Sequence, residues 1–200
     1  NRIVVSPMCQ YVAVDGCATD WHLQHLAQLG LSGAGLVMLE ATAVEPRGRI
    51  THGCLGLYSD AAEAALARVL RVARSMSAPG TRFGIQLSHA GRKASSRVPW
   101  LGGAHLSHGD PGAEGAPWPA VAPSALPFGA YPVPQALEAP ALDDIAQAFE
   151  MAARAAMRLG FDVVELHCAH GYLMHQFLSP LSNARDDAFG GSASARRAWP

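Results

Sequence analysis

Four short apolar runs rich in β-branched residues recur along the chain, at residues 3–5, 35–39, 82–87 and 161–166, each bounded by Gly, Pro or polar residues. Runs of this length and flanking predict buried strands. The stretches between them change period. From about Asp20, a candidate N-cap, Trp21, Leu23, Leu26 and Leu29 follow helical spacing. Asp60 and Glu63 stand at capping-box separation ahead of Leu66, Val69, Leu70 and Ala73, which share one helical face. After Asp143 and Asp144, the stripe Ile145, Phe149, Ala152 and Ala156 runs toward Gly160. The order is β, α, β, α, β, α, β.

Strict alternation of this kind predicts an α/β fold with parallel strands covered by helices. An open doubly wound sheet and a (β/α)₈ TIM barrel both satisfy it. The open sheet lacks its usual signatures, since no G-x-G-x-x-G follows the first strand and no Walker A motif occurs. A complete barrel takes about 250 residues, so the closed reading assigns residues 1–200 to about the first four β/α units of a partial barrel. The chain starts almost directly in a strand and stops where a helix begins to form, and both ends are expected to be cut. The Gly- and Pro-dense stretch at about 88–140 is too long for a plain connection and predicts a functional loop.

Composition narrows the partners. Half the residues are apolar and only 16% are charged, against about 25% in an average globular protein, so much of the chain should be buried. With 15 basic and 16 acidic residues and a net charge of -1, there is no electrostatic footprint for nucleic acid or an anionic membrane surface. No apolar run approaches the roughly 20 residues of a spanning helix, and no signal peptide opens the chain, which makes the cytoplasm the expected compartment. The scattered Cys9, Cys17, Cys54 and Cys168 are expected to be reduced thiols.

Chemistry-bearing side chains gather at the C-terminal ends of the predicted strands, the edge where parallel α/β proteins bind ligands. Ser6, Pro7, Met8 and Cys9 follow the first strand, Glu40 and Ala41 the second, Gln86 and His89 close the third, and His167 and His170 follow the fourth. In Glu165-Leu-His-Cys-Ala-His-Gly-Tyr172, a turn can bring two imidazoles to converge on one oxygen as an oxyanion-type donor pair. Tyr172 could donate a proton as a general acid. Ordinary capping hydrogen bonds are the bland alternative. A zinc site from His167, His170 and His175 is a rival with weaker spacing, because no H-E-x-x-H motif occurs. Cys9 or Gln86 alone would mean little. His22, His25, His52, His105 and His108 suit surface or capping roles, and Trp100 and Trp118 suit anchoring of the long loop.

At these residues the chain resembles the Old Yellow Enzyme family of FMN-dependent ene-reductases. The resemblance rests on N-R-I-V-V-S-P-M-C-Q-Y at 1–11, G-A-G-L-V-M-L-E-A-T-A-V at 33–44, G-R-I-T at 48–51, G-I-Q-L-S-H-A-G-R-K-A at 84–94 and H-C-A-H-G-Y-L-M-H-Q-F-L-S-P-L-S-N at 167–183. Cys9 followed by Tyr11 points to the branch of xenobiotic reductase A and related bacterial NADPH dehydrogenases. The family fold is a (β/α)₈ TIM barrel with FMN at its C-terminal rim.

The resemblance implies that Ser6, Pro7, Met8, Cys9, Ala41 and Gln86 contact FMN, with Cys9 tuning the flavin. It implies that Tyr11, His167 and His170 line the substrate pocket and that Tyr172 is the proton donor. NADPH or NADH would reduce the flavin, which would pass hydride to the β-carbon of an α,β-unsaturated carbonyl whose oxygen is held by His167 and His170. No metal is implied, and the full-length protein could assemble as a homo-oligomer. The family's later strands carry an Arg near the flavin and the phosphate-binding loops, so the 200-residue chain alone is expected to bind FMN poorly or not at all. Where the family often reads S-x-E-N-R, the chain has Ser192, Ala193, Ser194, Ala195 and Arg196, so that Ser194 and Ala195 depart from it, as do Ala184 and Phe189 from the family's usual residues. Related flavin barrels, such as dienoyl-CoA reductases and amine dehydrogenases, and a metal-dependent barrel hydrolase are the alternative readings.

Overall fold

Parallel pairing organises the computed structural model, which describes residues 1–110 and 115–200. Four strands, β1 (Val4–Val5), β2 (Leu36–Ala43), β3 (Arg82–Ser88) and β6 (Val163–Leu166), form one sheet in the order β1-β2-β3-β6, all parallel. Helices α1 (Asp20–Leu31), α2 (Asp60–Met76) and α3 (Ala139–Leu159) supply the crossovers. Phe83, Ile85 and Leu87 of β3 are fully buried, as are Leu66 and Leu70 of α2 and Ile145 of α3. They form one core with Val37 and Leu39 of β2. The sheet's outer strands are more open: Val4 is 56% exposed, and Val164 and Leu166 of β6 are 37% and 49% exposed.

Element boundaries depart from the sequence expectation where local chemistry decides them. Thr19, not Asp20, caps α1, and His22 closes a capping box by accepting the Thr19 N–H on Nδ1 at 3.0 Å. Ser59 caps α2 by accepting from Ala62 N at 3.2 Å. Glu63 faces outward and pairs with Arg158 of α3 instead. Helix α3 begins at Ala139, four residues before Asp143, because Pro140 in its first turn needs no N–H acceptor and presets φ. It ends at Gly160, whose φ of 83° glycine adopts without a Cβ penalty. Strand β2 runs to Ala43, so Glu40 and Ala41 lie inside the strand and not after it, and Gln86 likewise lies inside β3.

The stretch 88–140 is structured by short elements that hydrophobic period does not announce; its residues 111–114 lie outside those described. Two-residue strands β4 (Val121–Ala122) and β5 (Gln135–Ala136) pair in parallel. Trp118 ties the stretch down, donating Nε1 to the Arg47 carbonyl at 3.1 Å and packing edge-on against His52. A fourth helix, α4 (Leu173–Leu178), follows β6 with Leu173 and Phe177 fully buried.

Asp162 joins β6 to β3. It accepts the Phe83 N–H at 2.9 Å and ion-pairs with Arg74 at 2.7 Å and Arg82 at 3.1 Å. Burial alone would raise its pKa, but the Phe83 N–H and the Arg74 and Arg82 guanidiniums hold it below the ordinary 3.8. A depressed carboxylate stabilises above its unfolded pKa and ceases to as pH falls through the folded one. Asp162→Asn should therefore cost about 2 kcal/mol at pH 7, with the gap from wild type closing below about pH 4. Urea unfolding across pH checks both.

Candidate active site

Parallel registration sets a row of side chains across three strands. Ala41 of β2 pairs with Gln86 of β3, which pairs with Glu165 of β6. Gln86 donates its Nε2 to Glu165 Oε1. Because a carboxylate only accepts, the amide orientation is chemically determined and Gln86 Oε1 is left as an acceptor.

Beyond the ends of β3 and β6, the turn at 167–172 is fastened to β3. His167 N donates to the Leu87 carbonyl and Leu173 N to the His89 carbonyl, both at 2.9 Å. The turn carries two consecutive left-handed residues, His170 (φ 56°) and Gly171 (φ 74°). Lys93 braces it by donating Nζ to the His170 carbonyl at 2.9 Å. The rings of His167 and Tyr172 then meet at 4.8 Å between centroids, and those of His167 and His170 at 5.0 Å, both edge-on. Three of the sequence candidates are thus neighbours.

His167 has a defined hydrogen arrangement. Its Nδ1 accepts the Ala169 N–H at 3.2 Å, so Nε2 carries the ring hydrogen and is the donor it can present to a ligand. Burial first, and then the positive charge of His170, His175 and Lys93, hold its pKa below the ordinary 6.5, against an opposing pull from Glu165. His175, considered above as a zinc ligand, spends Nδ1 on the Gly171 N–H at 2.7 Å. Among the described residues, no three His, Cys, Asp or Glu side chains are grouped to hold a metal ion.

Cys9 and Tyr11 reach the same place from the loop after β1. Burial above all drives the pKa of the Cys9 thiol far up, against a smaller opposing pull from the nearby Ala41 backbone and Tyr11 hydroxyl, so it is a thiol and not a thiolate. Burial likewise raises both Tyr11 and Tyr172 well above the ordinary 10; Cys9 is near enough to add to each shift, and Tyr172 adds to that of Tyr11. Ser6, Pro7 and Met8 make no hydrogen bond to this cluster among the described residues; Met8 instead accepts Gln10 Nε2 at 2.7 Å. Two neighbours escaped the sequence reading. Trp100 is exposed and sits edge-on to Tyr11 at 5.9 Å, which is not a loop anchor's position. Lys93, inside a quoted motif, shows no spacing signal for its bracing contact.

A polarisable thiol, a fixed amide acceptor, a neutral imidazole donor and two phenols thus gather on the C-terminal edge of a parallel α/β sheet. The sequence profile of the NADH:flavin oxidoreductase / NADH oxidase family matches residues 1–200, and the chain belongs to that family. It is 48% identical over 200 residues to the NADH:flavin oxidoreductase FG08077 of Gibberella zeae, covering 98% of this chain and 47% of that protein. It is 44% identical over 201 residues to an NADPH dehydrogenase of Listeria innocua, covering 98% and 52%. Among solved structures, morphinone reductase in complex with tetrahydroNAD superposes with a TM-score of 0.79 at 28% identity, covering 98% of this chain and 53% of that one. Old Yellow Enzyme from Pichia sp. AKU4542 gives 0.81 at 28%, covering 98% and 50%. These neighbours are TIM barrels, and this chain is the corresponding partial parallel-sheet piece. The chain spans about half the length of the curated relatives it matches.

The family is FMN-dependent, and the residues present fit that group. Gln86 Oε1, left free to accept, suits the N–H edge of a flavin ring, and the Cys9 thiol, neutral by burial, suits a weakly polar ring face. A titration tests the electrostatics of the site: because Tyr11 and Tyr172 stay phenolic past pH 10, replacing both by Phe should leave the near-ultraviolet tyrosinate titration below pH 10 unchanged. A lost tyrosinate step below pH 10 would show that one of them ionises normally.

Proposed function

We propose that the full-length protein is an FMN-dependent ene-reductase that uses NADPH or NADH to reduce the carbon–carbon double bond of α,β-unsaturated carbonyl compounds. The observation that carries this reading is the convergence of the neutral His167 donor with the protonated Tyr172 phenol, beside Cys9 and Tyr11. Bound FMN would accept hydride from the nicotinamide and deliver it to the substrate β-carbon.

The chain's own residues do the rest. Ala41, Gln86 and Cys9 would hold the ring system, together with Ser6, Pro7 and Met8. The Cys9 thiol would help hold the ring and adjust its electronics. His167, through Nε2–H, and His170 hold the carbonyl oxygen, where negative charge grows as the β-carbon receives hydride. Tyr172, kept as a phenol by burial, gives its proton to the α-carbon. Tyr11 lines the pocket. The nicotinamide would leave before substrate enters, so one site serves both half-reactions. Residues 1–200 would form one partial barrel domain of the whole protein. Four free cysteines suit a reducing compartment such as the cytoplasm, and no helix among the described residues is long and apolar enough to cross a membrane.

Tyr172→Phe in the full-length protein should leave flavin reduction by NADPH intact while slowing enone reduction. His167→Ala should slow the enone step by about 10² to 10³. Stopped-flow measurement of the two half-reactions separates these effects, and unchanged enone reduction in Tyr172→Phe would refute the assignment. Because Tyr172 lies above 10 and His167 below 6.5, neither group should limit the enone step between pH 7 and 9.

A further inference from the structure

The pairing of β2 with β3 breaks its register once. Leu39 pairs with Ile85 and Ala41 with Gln86, so Glu40 is the extra residue of a bulge. A bulge re-aims a side chain, and here it sends a carboxylate into the interior, where Glu40 is 4% exposed. A buried carboxylate needs partners. Glu40 Oε2 accepts the Gln10 N–H at 3.1 Å. Its Oε1 faces His22 Nε2 at 3.3 Å. Because His22 Nδ1 accepts from Thr19 N, the ring hydrogen is on Nε2; that buried atom lies close to the carboxylate but completes no hydrogen bond among the described residues.

Gln10 lies between Cys9 and Tyr11. Its side chain is held as well, with Oε1 accepting from Trp21 Nε1 at 3.0 Å and Nε2 donating to the Met8 carbonyl. Tyr11 then takes a left-handed backbone, φ 55°, a conformation a non-glycine residue keeps only when its surroundings impose it. Gly53 leaves room for the Tyr11 carbonyl, which a Cβ there would strike, and Ala13 N donates to the Gly53 carbonyl at 2.9 Å. On the other side of the bulge, the Ala41 backbone is near enough to the Cys9 thiol to oppose the effect of burial on it.

We propose that Glu40 is the positioning residue for Cys9 and Tyr11: its buried carboxylate, through the Gln10 N–H, holds the backbone between them so that thiol and phenol are both presented to the site. The bulge therefore does two jobs at once, placing Ala41 against the thiol and Glu40 under the loop that carries it. The functional consequence rests on the ene-reductase reading above, whereas the positioning itself does not.

The test uses full-length, flavin-loaded protein with two readouts: alkylation of Cys9 by iodoacetamide, followed by mass spectrometry without substrate, and kcat and KM for 2-cyclohexenone with NADPH. Glu40→Ala should speed Cys9 alkylation several-fold while the buried Cys54 stays unlabelled. It should also lower kcat by up to about a hundredfold for a displacement near 1 Å, with KM changing less. Glu40→Gln, which keeps an acceptor for the Gln10 N–H, should fall between, and it decides the matter if Glu40→Ala does not fold. Cys9 alkylation equal to wild type in the folded variants overturns the proposal. So does equal acceleration at Cys54, which would make Glu40 a support of the whole fold. A wild-type protein without 2-cyclohexenone turnover contradicts the ene-reductase reading alone, since the alkylation comparison stands without it.

Discussion

Registration of β2 on β3 is the constraint on which the remaining geometry depends. In a parallel pair, hydrogen bonds fix which residues stand abreast, and the single extra residue at Glu40 shifts the end of β2 by one place so that Ala41 stands beside Gln86. From there the row continues to Glu165, which orients the Gln86 amide. Without the bulge, Glu40 would stand in that row and a charged side chain would replace a methyl group beside the amide. The same register brings the end of β3 level with the turn after β6, whose hydrogen bonds to the Leu87 and His89 carbonyls hold His167 and Tyr172 in place.

Burial then decides the chemistry that these positions can do. Each of Cys9, Tyr11 and Tyr172 is held in its neutral form first by desolvation, and His167 likewise loses charge by desolvation before any neighbour acts. A site built of neutral donors suits a reaction in which negative charge develops on the substrate, because preorganised dipoles stabilise that charge without reorganising. The two nearby carboxylates, Glu40 and Glu165, each hold another group in position: the Gln10 backbone and the Gln86 amide.

Much of this was legible in the sequence because the buried strands are β-branched runs with sharp polar boundaries, and because the residues at their ends are chemically distinctive. Parallel α/β order, the placement of Cys9, Gln86, His167 and Tyr172 on one edge, and the family itself could all be read from residues. Positions decided by tertiary contacts could not. Thr19 caps α1 because His22 turns back to it, and Ser59 outcompetes Asp60 through one side-chain contact. Glu40 looks like any polar residue after a strand until the bulge shows that it is buried inside one. Trp100 and Lys93 reach the site from a stretch whose path is set by contacts such as Trp118 on Arg47, not by period. The ring hydrogens of His22 and His167 follow from backbone N–H groups two or three residues away, which only coordinates reveal.

Isotope placement in the product tests the central claim most directly. Full-length holoenzyme is given 2-cyclohexenone with NADPH deuterated at the transferable C4 position, in ordinary water, and the reverse labelling is run in D₂O with unlabelled NADPH. The account predicts deuterium at the β-carbon from the nicotinamide label and at the α-carbon from solvent, the second arriving through Tyr172 and slowed in Tyr172→Phe. Reduction with nicotinamide deuterium absent from the β-carbon, or with α-carbon protonation as fast in Tyr172→Phe as in wild type, would contradict it.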